Sequence, residues 1–299
     1  SNVVSTSIYA VMLLLSKLSP AALDSVTPTD SGESNSTEQE PEAAPVTEVV
    51  SSDTDLSPKQ FVRLIQKAAI SHDFMVRKMA SMALVPLISS QDLPKAVEEL
   101  INRLPNPGEK FASNEVHGIL LQIKELLAGH INHKILSNSQ LEEISNVLLP
   151  RLASTVWLIK DKCHPISAVF LQIVQDFGPR SSPLVEQAAS LALKLLTEGG
   201  PISFGPEAMY KSIKNVDAAK IVLETFGKSE NQESILRTLL HHNDYEVRSY
   251  TLKFLKKNLK LDFGKYASEM LEMLFTEQNP NCMKKILQLI QYRGVPIFP

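Results

Sequence analysis

Four lysines, Lys253, Lys256, Lys257 and Lys260, recur at i, i+3, i+4 and i+7, the spacing of one helix face. A row of ammonium groups of this kind could neutralise phosphates of a nucleic acid, with weak sequence selectivity and strong salt dependence. Lys284, Lys285 and Arg293 could extend it. The plainer reading is a solvated face whose cations favour a helix C-terminus. The row is not interleaved with exposed aromatics, as a base-stacking platform would be. Asn114, His117 and Gln122 form a second polar group, among the apolar positions Val116, Ile119, Leu120, Ile123 and Leu126. They could present a patch to a partner. Alternatively they satisfy buried neighbours while Gly118 lets another helix approach.

The remaining chemistry-bearing residues suggest no metal and no cofactor. His130-Ile-Asn-His133, His241-His242 and Cys163-His164 lack further ligands at metal-binding spacing. Trp157 stands alone and reads as a core or inter-repeat residue. Phosphate-binding loops, dinucleotide fingerprints, H-E-x-x-H and G-x-S-x-G are absent from the sequence, as is any run of strands that could build a cofactor-holding sheet. The chain reads as a non-enzyme with no small-molecule substrate. The apolar run Ile8 to Leu15 is too short to span a membrane, and no basic segment precedes it as a signal peptide would require. Two distant cysteines suggest a reducing, cytoplasmic setting.

The elements that must position these residues are helices. Leu, Ile, Ala, Lys, Glu, Ser and Gln dominate, with 11 Gly and 6% aromatic residues, a mixture that favours helix over strand. Residues 1–24 predict one helix, about Ser5 to Leu18. Residues 25–57 are rich in Ser, Thr, Pro and Glu and predict a disordered acidic loop, having too few large apolar groups to offset ordering entropy. Residues 58–299 predict helical repeats. Ser57-Pro58 opens the first helix, and a second is expected from Phe74 to Ser89. Later ones include Ser113–Gly129, Ser139–Ser154, Pro165–Phe177, Pro206–Ile213, Asp217–Phe226, Asp244–Leu259 and Phe263–Phe275. Short connections favour antiparallel neighbours.

Two segments are alike: Asp73-Phe-Met-Val76-Arg77 and Asp244-Tyr-Glu-Val247-Arg248. Each follows an amphipathic helix and opens another, as does the second helix of a HEAT repeat. Asp73 and Asp244 are expected to cap the helix, the Val to point into the stack, and Arg77 and Arg248 to pair with an Asp of the adjoining repeat. The copies lie 171 residues apart, close to four units of ~40–47 residues. The fold class this predicts is all-α, a HEAT/armadillo-type α-solenoid of irregular helical pairs.

The net charge of −3 hides a division of labour. Between Asp24 and Asp55 lie nine acidic residues and no Lys or Arg. Setting those nine aside leaves 24 of the 33 acidic residues against 30 basic ones, an excess of six positive charges. A mildly basic body of this kind could attract a polyanion.

Three strings resemble the thyroid adenoma-associated protein (THADA) family, which includes fungal regulatory subunits of tRNA ribose methylation. They are Ser7-Ile-Tyr-Ala-Val-Met-Leu-Leu-Leu-Ser-Lys-Leu18, Val76-Arg77-Lys-Met-Ala80 with Ala83-Leu-Val-Pro-Leu87, and Asn114-Glu-Val-His117-Gly118-Ile-Leu-Leu-Gln122. The resemblance covers about residues 5–130. It implies a long HEAT/armadillo solenoid that binds a partner tRNA 2′-O-methyltransferase and presents tRNA for methylation of an anticodon-loop ribose. The family's arginine-rich R-R-S-A-G-(L/I)-P motif is missing, so the resemblance places this chain downstream of it. Without that resemblance, an adaptor solenoid with protein partners only fits the same residues.

Overall fold

The computed structural model describes residues 6–18, 58–178, 182–198, 205–226, 231–258 and 266–293. The expected acidic loop, 25–57, and Lys260 lie outside the described residues. Within them are thirteen α-helices and no strand. They are α1 (Thr6–Leu15), α2 (Pro58–Ala68), α3 (Phe74–Leu84), α4 (Leu93–Ile101), α5 (Ser113–Asn132), α6 (Asn138–Ser154) and α7 (His164–Phe177). The series continues with α8 (Pro183–Glu198), α9 (Pro206–Phe226), α10 (Gln232–Leu240), α11 (Tyr245–Lys257), α12 (Ala267–Thr276) and α13 (Pro280–Arg293).

The helices form two layers. In one, α1, α3, α5, α7, α9, α11 and α13 each pack on the next. In the other, α4 packs on α6 and α6 on α8. The layers are joined pairwise, α2 on α3, α4 on α5, α8 on α9, α10 on α11 and α12 on α13. This is a solenoid of helical pairs, with α3 and α11 four steps apart in the odd row. The 171 residues between Asp73 and Asp244 therefore average ~43 per pair, within the HEAT/armadillo range and above the 34 of a tetratricopeptide repeat. The steps are irregular. Among the four from α3 to α11 the longest, α5 to α7, accommodates an extra 3-10 segment, Val156–Lys160.

Local chemistry explains most boundaries. Pro86 ends α3 at Leu84 and turns the chain into a 3-10 segment, Val85–Leu87, where a single longer helix was expected. Ser137 and Gln140 form a reciprocal capping box at α6. One expectation is corrected: residues 206–226 make a single helix, not two broken near Lys214-Asn215-Val216. That polar stretch contains no Gly or Pro, and Lys214 and Asn215 are buried as links to neighbouring helices. The core is continuous from Met12 to Ile290, with Phe170, Leu120 and Leu148 among its fully buried side chains.

Candidate functional site

Both repeated segments do the work their sequence assigns at the helix start. Asp73 accepts from the amides of Met75 (2.7 Å) and Val76 (3.3 Å), and Asp244 from that of Glu246 (3.0 Å). The two arginines then repeat a second contact in register. Arg77 Nη1 donates to the carbonyls of Ser71 (2.6 Å) and His72 (3.0 Å), and Arg248 Nη1 to those of His242 (2.8 Å) and Asn243 (3.1 Å). In each case the acceptors lie six and five residues upstream. The arginine ties the incoming turn to the helix that follows it.

Their partners in the adjoining pair differ, and neither is the expected Asp. Arg248 makes a two-pronged bond to Glu277, Nε to Oε2 at 2.8 Å and Nη2 to Oε1 at 2.7 Å. Burial alone would raise the Glu277 carboxyl; the Arg248 hydrogen bonds and the Asn279 amide pull it below the ordinary range. Arg77 instead donates from Nε to His117 Nδ1 (3.0 Å) and from Nη1 to Asn114 Oδ1 (3.1 Å) on α5. Both partners are neutral. The reach across the pair decides the choice: a carboxylate sits on the α12–α13 turn, whereas the first turns of α5 offer an amide and an imidazole.

His117 and Gln122 do not form a partner-facing patch. His117 is 1% exposed and Gln122 fully buried, with Gln122 Nε2 returned to the Gly118 carbonyl at 3.0 Å. Only Asn114 is half-exposed, and it bridges Arg77 to His72 Nδ1 (2.9 Å). The cause is Gly118. A Cβ there would lie 1.9 Å from the Ala69 carbonyl oxygen, so the turn that follows α2 touches α5 backbone to backbone beside these buried polar residues. Burial, and then the Arg77 charge, push the His117 imidazole down to about 3.

The odd row carries a groove. A cavity of about 1030 Å³ is lined by Met209, Ile213 and Val216 of α9, Tyr245 and Glu246 of α11, and Gln172 of α7. A second of about 430 Å³ shares Tyr245 and Glu246 and continues to Lys284 and Lys285 of α13. The lining of the first cavity includes Asp217, buried and held by Gln172 Nε2 and Lys220 Nζ, both at 2.7 Å. Lys253, Lys256 and Lys257 are exposed on the later turns of α11, and Lys284 is exposed on α13. Lys285 is half-buried, donating to Ser249. The side chain of Arg293 lies outside the described residues.

Among the described residues no group of three or more His, Cys, Asp or Glu side chains could hold a metal ion, and no helix is long and apolar enough to cross a membrane. No solved structure matches the chain. A family model described as "Trm732, C-terminal TPR repeats" matches residues 42–126. Curated relatives carry the name tRNA (32-2′-O)-methyltransferase regulator THADA. The dog protein is 31% identical over 123 residues, 40% of this chain and 6% of its own length. Those of Chlorocebus aethiops (26% over 272 residues) and human (25% over 271) cover 79% of this chain and 14% of theirs. Over these stretches the chain is similar to the THADA regulators. It spans a small part, 6% to 14%, of the length of these relatives.

In the string Asn114 to Gln122, Asn114 and His117 join helical pairs through Arg77, whereas Gln122 bonds back to its own helix. The relatives are named as regulators of a methyltransferase, not as methyltransferases. What sequence reading missed is the polar lining of the odd row. Gln172, Asp217 and Lys220 are each unremarkable in sequence and meet only because α7 and α9 are adjacent.

Proposed function

We propose that this chain is part of a non-catalytic scaffold that supports 2′-O-ribose methylation in the tRNA anticodon loop by a partner methyltransferase. The observation that carries the reading is the match to methyltransferase regulators across 79% of the chain. The two-layer architecture agrees with it: a solenoid offers a long surface and a rigid spacing. The scaffold works in the cytoplasm and binds the enzyme, with tRNA laid along the exposed Lys253, Lys256 and Lys257, with Lys260 extending the row. Phosphate neutralisation there gives affinity without sequence readout.

The partner methyltransferase is assayed on unmodified tRNA with and without the full-length regulator that contains this chain. Methyl transfer is expected only with the regulator, and equal activity without it overturns the reading. Reversing Lys253, Lys256 and Lys257 to Glu in that regulator weakens tRNA binding and lowers the slope of log affinity against log salt by up to about 3, near one per lost phosphate contact. A second reading, an adaptor with protein partners only, is favoured by the apolar wall of Met209, Ile213 and Tyr245, each more than two-fifths exposed. It prevails if labelled tRNA fails to bind even at low salt.

A further inference from the structure

Helix α9 is apolar on two sides. Ala218, Ala219, Ile221 and Val222 are buried in the core. Met209, Ile213 and Val216 recur at i, i+4 and i+7 and line the larger cavity of the odd row. Met209 and Ile213 are exposed, as is Tyr245, which lines the same cavity from the start of the neighbouring α11. A face given over to solvent would carry polar side chains at these positions, and apolar side chains grouped along one groove mark a contact surface. A groove walled in this way accepts the apolar stripe of an amphipathic helix.

The charges of the groove decide between a protein and a nucleic acid. Its larger cavity is lined by three carboxylates, Asp217, Asp244 and Glu246, and one ammonium, Lys220. Lys220 pairs with Asp217 at 2.7 Å. Asp244 is buried and accepts from neutral donors, Ser212 Oγ (3.1 Å), Asn215 Nδ2 (3.2 Å) and the Glu246 amide (3.0 Å). Glu246 is exposed, and among the described residues neither it nor Asp244 makes an ion pair. A phosphate chain laid here would meet two negative charges in a half-apolar trough. A protein segment with Lys or Arg beside its apolar stripe would meet complementary ones. Lysines line the groove again only where it passes α13, at Lys284 and Lys285 of the smaller cavity.

We infer that this groove docks an amphipathic helix of the partner methyltransferase, its apolar stripe on Met209, Ile213 and Val216 and its Lys or Arg side chains facing Glu246. The inference rests on the scaffold reading above. An enzyme that acts on tRNA presents a basic surface to the phosphate backbone, so cationic side chains are what it brings to an acidic groove. Enzyme and tRNA then take different stations on α11. Glu246 lies on its first turn, and Lys253 begins the lysine row ~10 Å further along the axis, at 1.5 Å per residue. The groove holds the enzyme beside the surface on which its substrate is laid.

Binding of the partner methyltransferase to the full-length regulator that contains this chain is titrated, with hydrogen exchange read in parallel. Ile213→Asp should weaken binding about tenfold or more, as loss of a central apolar anchor does. Glu246→Lys, on an exposed side chain, should weaken it about threefold and make it less sensitive to salt. Amides of residues 208–216 and 243–249 should gain protection when the enzyme binds. An enzyme that binds but tolerates both substitutions, or leaves those amides as they were, overturns the inference while the scaffold reading stands. An enzyme that does not bind the regulator at all overturns both. Should Ile213→Asp fail to fold, Glu246→Lys and the exchange pattern decide. Self-association of the 299-residue chain that Ile213→Asp abolishes assigns the groove to a second copy, and tRNA binding that it abolishes assigns the groove to RNA; either result overturns the inference.

Discussion

Replacing Gly118 by Ala tests the backbone contact that buries His117 and Gln122. The new Cβ would lie 1.9 Å from the Ala69 carbonyl oxygen and 2.9 Å from its carbon. An ordinary contact needs α5 to back away by about 1.5 Å, and the obstacle is main chain, which cannot rotate aside. Alanine is the better helix former by about 1 kcal/mol, so without a clash the substitution would stabilise. Overpacking costs about 1–3 kcal/mol, and a backbone wall places this site at or beyond the upper end. The shift would also stretch the 3.0 Å bond from Arg77 to His117, one residue away. We expect a net loss of about 2 kcal/mol, read from urea unfolding followed by far-UV circular dichroism. Gly129→Ala is the comparison: its Cβ meets Val85 Cγ1 at 2.5 Å, the tip of a side chain that can move. That change should cost less than about 1 kcal/mol. A Gly118→Ala protein as stable as the unsubstituted chain would refute the account of this contact.

Three further expectations concern the arginine and aspartate repeats. His117 stays neutral in the fold to about 3, whereas the unfolded chain takes up the proton near 6.5, so its contribution is complete above 6.5 and is lost as pH falls toward 3. By pH 5 that amounts to about 2 kcal/mol, and His117→Gln should show a flatter stability profile between pH 6.5 and 5; parallel profiles would sink the assignment. Arg248→Ala strands the buried Glu277 carboxylate and should cost about 3–5 kcal/mol, while Arg248→Met with Glu277→Leu should recover most of it in denaturant titrations. Asp73 and Asp244 share a motif but not a price. Asp73→Ala removes an exposed cap, about 1 kcal/mol. Asp244→Ala also abandons Ser212 and Asn215 of α9 and should cost about 1–2 kcal/mol more; equal losses would contradict the burial difference.

The all-helical solenoid, its irregular pairs and the four-step separation of Asp73 from Asp244 are legible from composition, apolar periodicity and the two D-x-x-V-R starts. These are local properties: a capping carboxylate and a 3.6-residue stripe act within one or two helices. Partner choice is not local. Whether Arg77 finds an imidazole and Arg248 a carboxylate depends on which residues the next pair brings within about 3 Å, at separations of 40 and 29 residues. The burial of His117 and Gln122 follows from the close approach of the turn after α2 at Gly118, and the polar run Lys214-Asn215 resembles a helix break until its neighbours on α7 and at the start of α11 are in place. The meeting of Phe74 with Tyr210, 136 residues apart, has no trace in either segment, because it arises from how successive pairs rotate against one another. Sequence alone determined what each helix is and which face it buries. Tertiary packing decided which charges meet an opposite charge and which meet neutral partners.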